Sequence, residues 1–391
     1  MAKRISAALG IDVGTQSVKA ATVRMTKDGA VLSGLGLAPT PEGSVDHTGI
    51  LDPMSVGQAV KAAAVESGGC KDVVFCINGS QSVVVRLLEV PKMTDAELSD
   101  HMNWEIQRNV PFAEPNVVSD FRPVDNPSLQ DSQNMEVVMA VSPQSAIDLI
   151  LSVVKNAGLK PAAIDVEPLG MGRVLDTCHR SDVGSKSVCM VNIGHSTTAI
   201  NMYRGGTLAF PRTVPLGGAM LTKAISDGLN VDLATAEERK IASAFIPDSA
   251  GAGGGFTVPS AQTTSVYDYG EGGEQASAGG EAPIASFEEE TSQLYRYMEG
   301  SLEEIVSEIR RSIDYYRSRG GDIEMIVLCG GCANIRGIES FVSKSIGITT
   351  VKANPFQGMG LEVRGMGETY LSSKASDFVV AVGMGLHIAY D

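Results

Sequence analysis

Apolar and polar positions fall into blocks whose period changes along the chain. Residues 5–13 form a mostly apolar run without strict alternation, as expected of a buried central strand. The run ends in Asp12-Val-Gly-Thr-Gln-Ser17, and residues 18–23 resume a strand, which together predict a hairpin. Residues 54–67 read as a helix stopped by Gly68-Gly69, and 72–77 and 82–88 as two strands around Asn78-Gly79. Thr94 with Glu97 makes a capping box, and Leu98, Met102 and Ile106 lay one apolar stripe along the helix that follows, up to Pro111. A strand over 136–141 and a helix over 143–157, ending before Gly158, complete a stretch (86–160) with the makings of a small subdomain.

From Ser187 the opening pattern begins again. Residues 187–193 form a strand, Gly194-His-Ser-Thr197 a turn and 198–203 a second strand, so two halves of similar design are expected. Leu302, Ile305, Val306, Ile309, Ile313 and Tyr316 recur at helical spacing. Residues 324–329 are a buried strand ending in Gly330-Gly331. A helix-like segment and a last strand follow, and 378–389 is a closing small-residue helix.

Length and charge narrow the classes. The 391 residues suggest two or three units, and 43% apolar with 20% charged residues argues against wholesale disorder. A net charge of −15 argues against a nucleic-acid partner and against electrostatic docking on anionic lipid. No run approaches the roughly 18 apolar residues of a membrane span; the stretch 378–390 is short and broken by Gly383 and Gly385. The N-terminus reads as a first strand and not as a signal peptide, and six cysteines without regular spacing fit a reducing cytosol. Residues 246–290 stand apart, rich in Gly, Ser and Ala with eight acidic residues and no Lys or Arg; they read as a flexible acidic insertion.

Candidate chemistry sits at the two turns. Consecutive backbone N–H groups in tight turns make anion cradles, and Gly14 and Gly194 let backbone approach a phosphate closely. Lys19 adds a point charge for a phosphate oxygen, and Asp12 suits Mg²⁺ held through water. Each turn alone is equally compatible with an ordinary β-hairpin; the matching pair is what points to a ligand. In Leu328-Cys-Gly-Gly-Cys-Ala-Asn-Ile-Arg-Gly-Ile338 the double glycine leaves room for a flat base. The lone Cys329-x-x-Cys332 is a weak metal or redox signal.

These residues carry a resemblance. Asp12-Val-Gly-Thr resembles the first phosphate loop of the actin-like ATPases, Asn192-Ile-Gly-His-Ser-Thr the second, and Leu328-Cys-Gly-Gly-Cys-Ala-Asn-Ile the adenosine motif. Residues 164–173 and 379–389 are similar to the two connecting helices at the hinge of that superfamily. The middle is more specific. Trp104-Glu-Ile-Gln-Arg-Asn-Val-Pro-Phe112, Asp120-Phe, Val137-Val-Met-Ala-Val141, Ala157-Gly-Leu-Lys-Pro161, Asp165-Val-Glu-Pro168 and Tyr315-Tyr316 resemble the PilM family of type IV pilus assembly.

The resemblance implies an α/β, actin-like (ribonuclease H-like) two-lobed fold with an inserted α+β subdomain of the FtsA and PilM type. Its expected divisions are 1–85 plus 161–186, the insert at 86–160, 187–222 plus 320–391, and 223–319 containing the acidic insertion. ATP or ADP with Mg²⁺ is expected in the cleft. Gly14, Thr15, Gln16, Ser17 and Lys19 would contact phosphates and Asp12 the Mg²⁺ shell. Gly194, His195, Ser196 and Thr197 would face the outer phosphates, Glu237 and Lys240 the ribose or base, and Gly330, Gly331, Asn334 and Ile335 the adenosine. Glu167 stands where an attacking water would be oriented. Two departures bear on turnover: Asn192 occupies a position usually held by Asp, and His195 one that is often small, so it either bonds a phosphate or fills the turn. The expected partner is a PilN-like bitopic inner-membrane protein, gripped by its N-terminal cytoplasmic peptide beside the insert, together with other pilus platform and motor proteins. The expected place is the cytoplasm, peripheral to the inner membrane, with homo-oligomerisation left open and weak or no ATPase activity. Rival readings are an FtsA-like division protein, which would need a basic amphipathic tail, and a small-molecule kinase, which would need a carboxylate base in a closed pocket. Trp104, on the edge of its helix stripe, reads either as core or as part of a binding surface.

Overall fold

The computed structural model describes residues 5–109, 112, 116–124, 126, 129, 131–250, 284–363 and 367–390. The chain opens with a meander, β1 (Ala7–Val13), β2 (Ser17–Thr26) and β3 (Gly29–Pro39), then α1 (Pro53–Glu66) and β4 (Asp72–Ile77). An excursion follows through β5 (Val84–Pro91), α2 (Asp95–Asn109), β6 (Val117–Val124) and β7 (Asn134–Pro143). The chain returns by α3 (Gln144–Asn156) and β8 (Lys160–Val166), and continues into α4 (Glu167–Cys178) and the short α5 (Arg180–Val183). The second half contains β9 (Ser187–Ile193), β10 (Thr198–Arg204), β11 (Thr207–Val214), α6 (Gly218–Leu229), α7 (Leu233–Ser243) and α8 (Ile284–Ser318). It ends with β12 (Met325–Cys329), α9 (Ile338–Ile346), β13 (Thr350–Lys352), β14 (Gly360–Leu361), α10 (Glu368–Lys374) and α11 (Val379–Gly385).

Two sheets repeat one design. The first runs β14-β3-β2-β1-β4-β8 and the second β11-β10-β9-β12-β13. In each, a hairpin pairs antiparallel, and its first strand takes a parallel neighbour on the other side: β4 beside β1, β12 beside β9. The apolar runs of β1 and β9 have this cause, since a central strand covered on both faces has no solvent-facing side. Helices α1 and α3 bury Val56, Val60, Ile150 and Val153 on one face of the first sheet, so α3, at the end of the 86–160 stretch, packs on the first sheet's core. Helices α4 and α11 lie against its other face and share a core with Met190 and Val327 of the second sheet. Helices α6, α8 and α9 cover the far side of that sheet.

The helices α4 and α11 cross closely. A Cβ on Gly383 would collide with the backbone of Gly170, so only glycine permits the approach. Beside the crossing, Asp165 accepts from His387 Nδ1 at 2.7 Å and pairs with Arg173 at 2.6 Å. Burial alone would raise this carboxyl, but the His387 hydrogen bond and the Arg173 charge hold it below its usual value.

The excursion forms a third sheet, β5-β7-β6. Residues 72–77 and 82–88 are therefore not two strands of one pair. The segment between them leaves the first sheet to bond the 47–48 backbone, with Ser80 N donating to His47 O at 2.9 Å. Glu97 and Thr94 close the capping box, Thr94 N donating to Glu97 Oε2 at 2.9 Å. Leu98, Met102 and Ile106 bury against Val90, Val137, Met139 and Val141 as their spacing predicts; each such burial contributes on the order of 1.5–3 kcal/mol. Trp104 is 51% exposed with Arg108 stacked over its ring, so its core reading is wrong. Of the acidic stretch, residues 251–283 lie outside the described residues. Its margins belong to the fold: Ile246 and Ala250 are buried in the second core, and 284–290 start α8.

Candidate functional site

The two hairpin turns meet. Each closes the same way, Gly14 N donating to Ser17 O at 3.0 Å and Gly194 N to Thr197 O at 2.9 Å. They face each other across a cleft, where Thr15 Oγ1 lies 3.0 Å from Ser196 Oγ and Gln16 Nε2 3.1 Å from His195 Nε2. The cleft has a volume of about 900 Å³, and all of the candidate nucleotide-site residues line it: Asp12, Gly14 to Ser17, Lys19, Glu167, Asn192, Gly194 to Thr197, Glu237, Lys240, Gly330, Gly331, Asn334 and Ile335. Residues 179 to 181 positions apart in sequence are brought within hydrogen-bond reach.

At the floor the charges are unequal. Asp12 and Lys19, opposite each other on the β1–β2 pair, lie 3.5 Å apart. On the second-lobe side Asn192 Nδ2 donates to Glu167 Oε1 at 2.7 Å. Burial, reinforced by the nearby Asp12 charge, pushes the Glu167 carboxyl up to about 7 against the pull of the Asn192 bond. The arrangement offers one proton-accepting group near neutrality, with an amide where a second carboxylate would stand. His195 is pushed below its ordinary value by burial, opposed by Glu237.

The opposite end is built from α7 and the β12 loop. Lys240 is buried, donating to Gly218 O at 3.0 Å, Thr222 Oγ1 at 2.8 Å and Glu237 Oε2 at 2.7 Å. Burial works to raise the Glu237 carboxyl, but the Lys240 charge and the bonds from Lys240 and Thr222 hold it below its usual value. Gly330 sits at φ +86°, and a Cβ there would run into Asn192 Oδ1 and the Ile193 carbonyl, while Gly331 faces open space. The two glycines thus serve different ends, one a left-handed turn against the second hairpin and the other an unobstructed surface. Cys329 and Cys332 are buried free thiols, both raised by burial, Cys332 to about 11. Among the described residues no group of three or more His, Cys, Asp or Glu is placed to hold a metal ion.

Residues that sequence reasoning missed come from the start of the closing helix. Asn334 Nδ2 donates to Asp377 Oδ1 at 2.8 Å, Ser376 Oγ to Asn334 Oδ1 at 2.8 Å, and Gly330 N to Ser376 O at 2.9 Å. Burial raises the Asp377 carboxyl, opposed by Lys19 and Lys374. The signal available was the polar Ser376-Asp377 pair set against the apolar run that follows it.

A family model described as type IV pilus assembly protein PilM matches residues 10–250 and 279–388. The chain belongs to the PilM family. Among solved structures, the PilM–PilN type IV pilus biogenesis complex contains a chain that superposes with a TM-score of 0.78 at 24% identity, covering 99% of both chains. The ethanolamine utilization protein EutJ of Carboxydothermus hydrogenoformans superposes at 0.53 with 13% identity, over 97% of this chain and 89% of that one. The PilM-family chain therefore has the actin-like fold expected of it. It also resembles cell division protein FtsA. The match is 33% identical over 97 residues in Neisseria meningitidis (25% of this chain, 23% of that one) and 25% identical over 273 residues in Pseudomonas aeruginosa (64% of each). It thus spans less than two thirds of either FtsA. Among the described residues no helix is long and apolar enough to cross a membrane.

Proposed function

We propose that this PilM-family protein is a nucleotide-binding adaptor of the type IV pilus inner-membrane assembly platform. Its cleft takes ATP or ADP with Mg²⁺, and its insert side takes the N-terminal cytoplasmic peptide of a PilN-like membrane protein. One observation carries the nucleotide reading: two like-built turns, Gly14 to Ser17 and Gly194 to Thr197, close on one cleft whose far end presents Lys240, Glu237 and the open Gly331 surface. Phosphates would lie between the turns, where backbone N–H groups, hydroxyls and the Lys19 ammonium offer donors. The base would lie over Gly331 and Ile335.

The donor set suits Mg²⁺. Asp12 faces the cleft within the electrostatic reach of Glu167, and Mg²⁺ asks for few carboxylates beside waters and phosphate oxygens. The ion would supply neutralisation of phosphate charge. Glu167 can orient or accept from water at neutral pH, while Asn192 gives no second base, so turnover is slow or absent and nucleotide acts by setting cleft closure. A ligand shifts that equilibrium only by its difference in affinity for the two states.

The partner reading is supported by family membership and by the likeness to the chain solved with PilN. The test is titration of the intact protein with the N-terminal peptide of a bitopic membrane protein from its own pilus system, in ATP, in ADP and without nucleotide. The reading predicts binding whose affinity differs between the three states. Equal affinity in all three would reduce the protein to a static tether, and no binding would remove the adaptor role.

A further inference from the structure

The third sheet is buried on both faces. Residues Val90, Val137, Met139 and Val141 face α2. On the other face Val138 is buried in the core cluster that holds Met190, Tyr203 and Leu208 of the second lobe, and Val85, Leu87 and Val124 pack against the same cluster. The sequence carries this in Val84-Val85-Arg86-Leu87-Leu88-Glu89-Val90, where apolar residues occupy both parities of one strand. At the end of that inner face Glu89 of β5 stands directly across from Glu136 of β7. Like charges opposed across a strand pair destabilise it unless a cation answers them. Asn134 Nδ2 donates to Glu89 Oε1 at 2.7 Å, and the cation comes from the other lobe: Arg204, at the end of β10, lies 3.9 Å from Glu136. Arg204 is also held to its own lobe, at 3.5 Å from the Tyr316 hydroxyl of α8.

We infer that the inserted sheet is a strut between the lobes, separate from the α4–α11 crossing, through which closure of the cleft is transmitted to the insert by the Val138–Leu208 core and the Arg204–Glu136 pair. Parting the lobes would strip the cation from two opposed carboxylates and expose the inner face of β5 and β7. Closing them would lock the insert in place. The inference rests on the cleft being a nucleotide site and deepens that reading: it names how occupancy there reaches the surface proposed to take the partner.

Hydrogen–deuterium exchange on the intact chain, with and without saturating Mg²⁺ and a non-hydrolysable ATP analogue, tests it in the native protein, Glu136→Arg, Arg204→Glu and the double swap. Nucleotide affinity is measured on the same samples. In the native protein nucleotide should slow exchange across β5 and β7 by about threefold or more. Either single reversal should abolish most of that slowing while nucleotide still binds, and the swap should restore it. Where a reversal does not fold, Glu136→Gln and Arg204→Gln take its place, with partial loss expected. Nucleotide that binds without changing exchange in the native insert, or slowing that survives both single variants, overturns the strut alone. Failure of nucleotide to bind any form overturns the cleft reading and the strut with it.

Discussion

The two hairpin turns have one backbone and two chemistries. Both close through a glycine N–H onto the carbonyl three residues on, and both end a central strand. The first carries a carboxylate and an ammonium in contact, Asp12 and Lys19. The second carries no charge of its own, and its Asn192 is spent on holding Glu167. A duplicated frame thus supplies two cradles, while their side chains divide the work: the first lobe sets charge, and the second sets the position of the one carboxyl titrating near neutrality.

The largest effect should come where the second turn is braced. Gly330→Val would force a β-branched residue into φ +86° and onto Asn192, costing about 2–4 kcal/mol in denaturant unfolding. Gly331→Ala, in open space, should leave folding unchanged and weaken only adenosine nucleotides. Equal losses at both positions would dissolve the distinction between them.

Next is the pH dependence of Glu167. Its carboxyl titrates at about 7 in the folded protein against an ordinary 4.5 in the unfolded chain. Below pH 4.5 both states hold the proton; between 4.5 and 7 the folded state keeps it and the unfolded state loses it. Stability from this group therefore falls as pH rises through that window and is flat above it. Glu167→Gln should remove roughly 1–3 kcal/mol of that fall, read from urea midpoints on either side of the window. A variant with the native slope would show that the carboxyl is not held as described.

On the first turn, Lys19→Met should weaken nucleotide by about tenfold, roughly 1.4 kcal/mol, with reduced dependence on salt. An affinity unchanged by this removal would mean that the first turn's charge does not face phosphate. Least of all, Thr15→Val removes the hydroxyl that meets Ser196 and should cost about 0.5–1 kcal/mol. It should make no difference in a Ser196→Ala background, because the pair is then already broken.

The repeat, the strand ends and the capping box were legible because each is local: apolar runs, glycines and hydroxyls sit within a few residues of one another. The long-range consequences were not. Periodicity places 72–77 and 82–88 side by side, yet tertiary bonding to the 47–48 backbone sends the second strand to another sheet. Trp104 follows its helix stripe closely enough to read as core, and only packing shows that the stripe ends before it. Asp377 carries no motif; it joins the site because the closing helix begins against Asn334. The Arg204–Glu136 contact likewise depends on how two lobes settle, which spacing along one strand does not encode.

Calorimetric titration of the intact protein with Mg²⁺-ATP, repeated with Lys19→Met and with Gly331→Val, addresses the central claim most directly. The account predicts a single site, weakened by both changes, since one touches phosphate and the other the base. Absence of binding, or binding indifferent to both substitutions, would show that the paired turns do not hold a nucleotide.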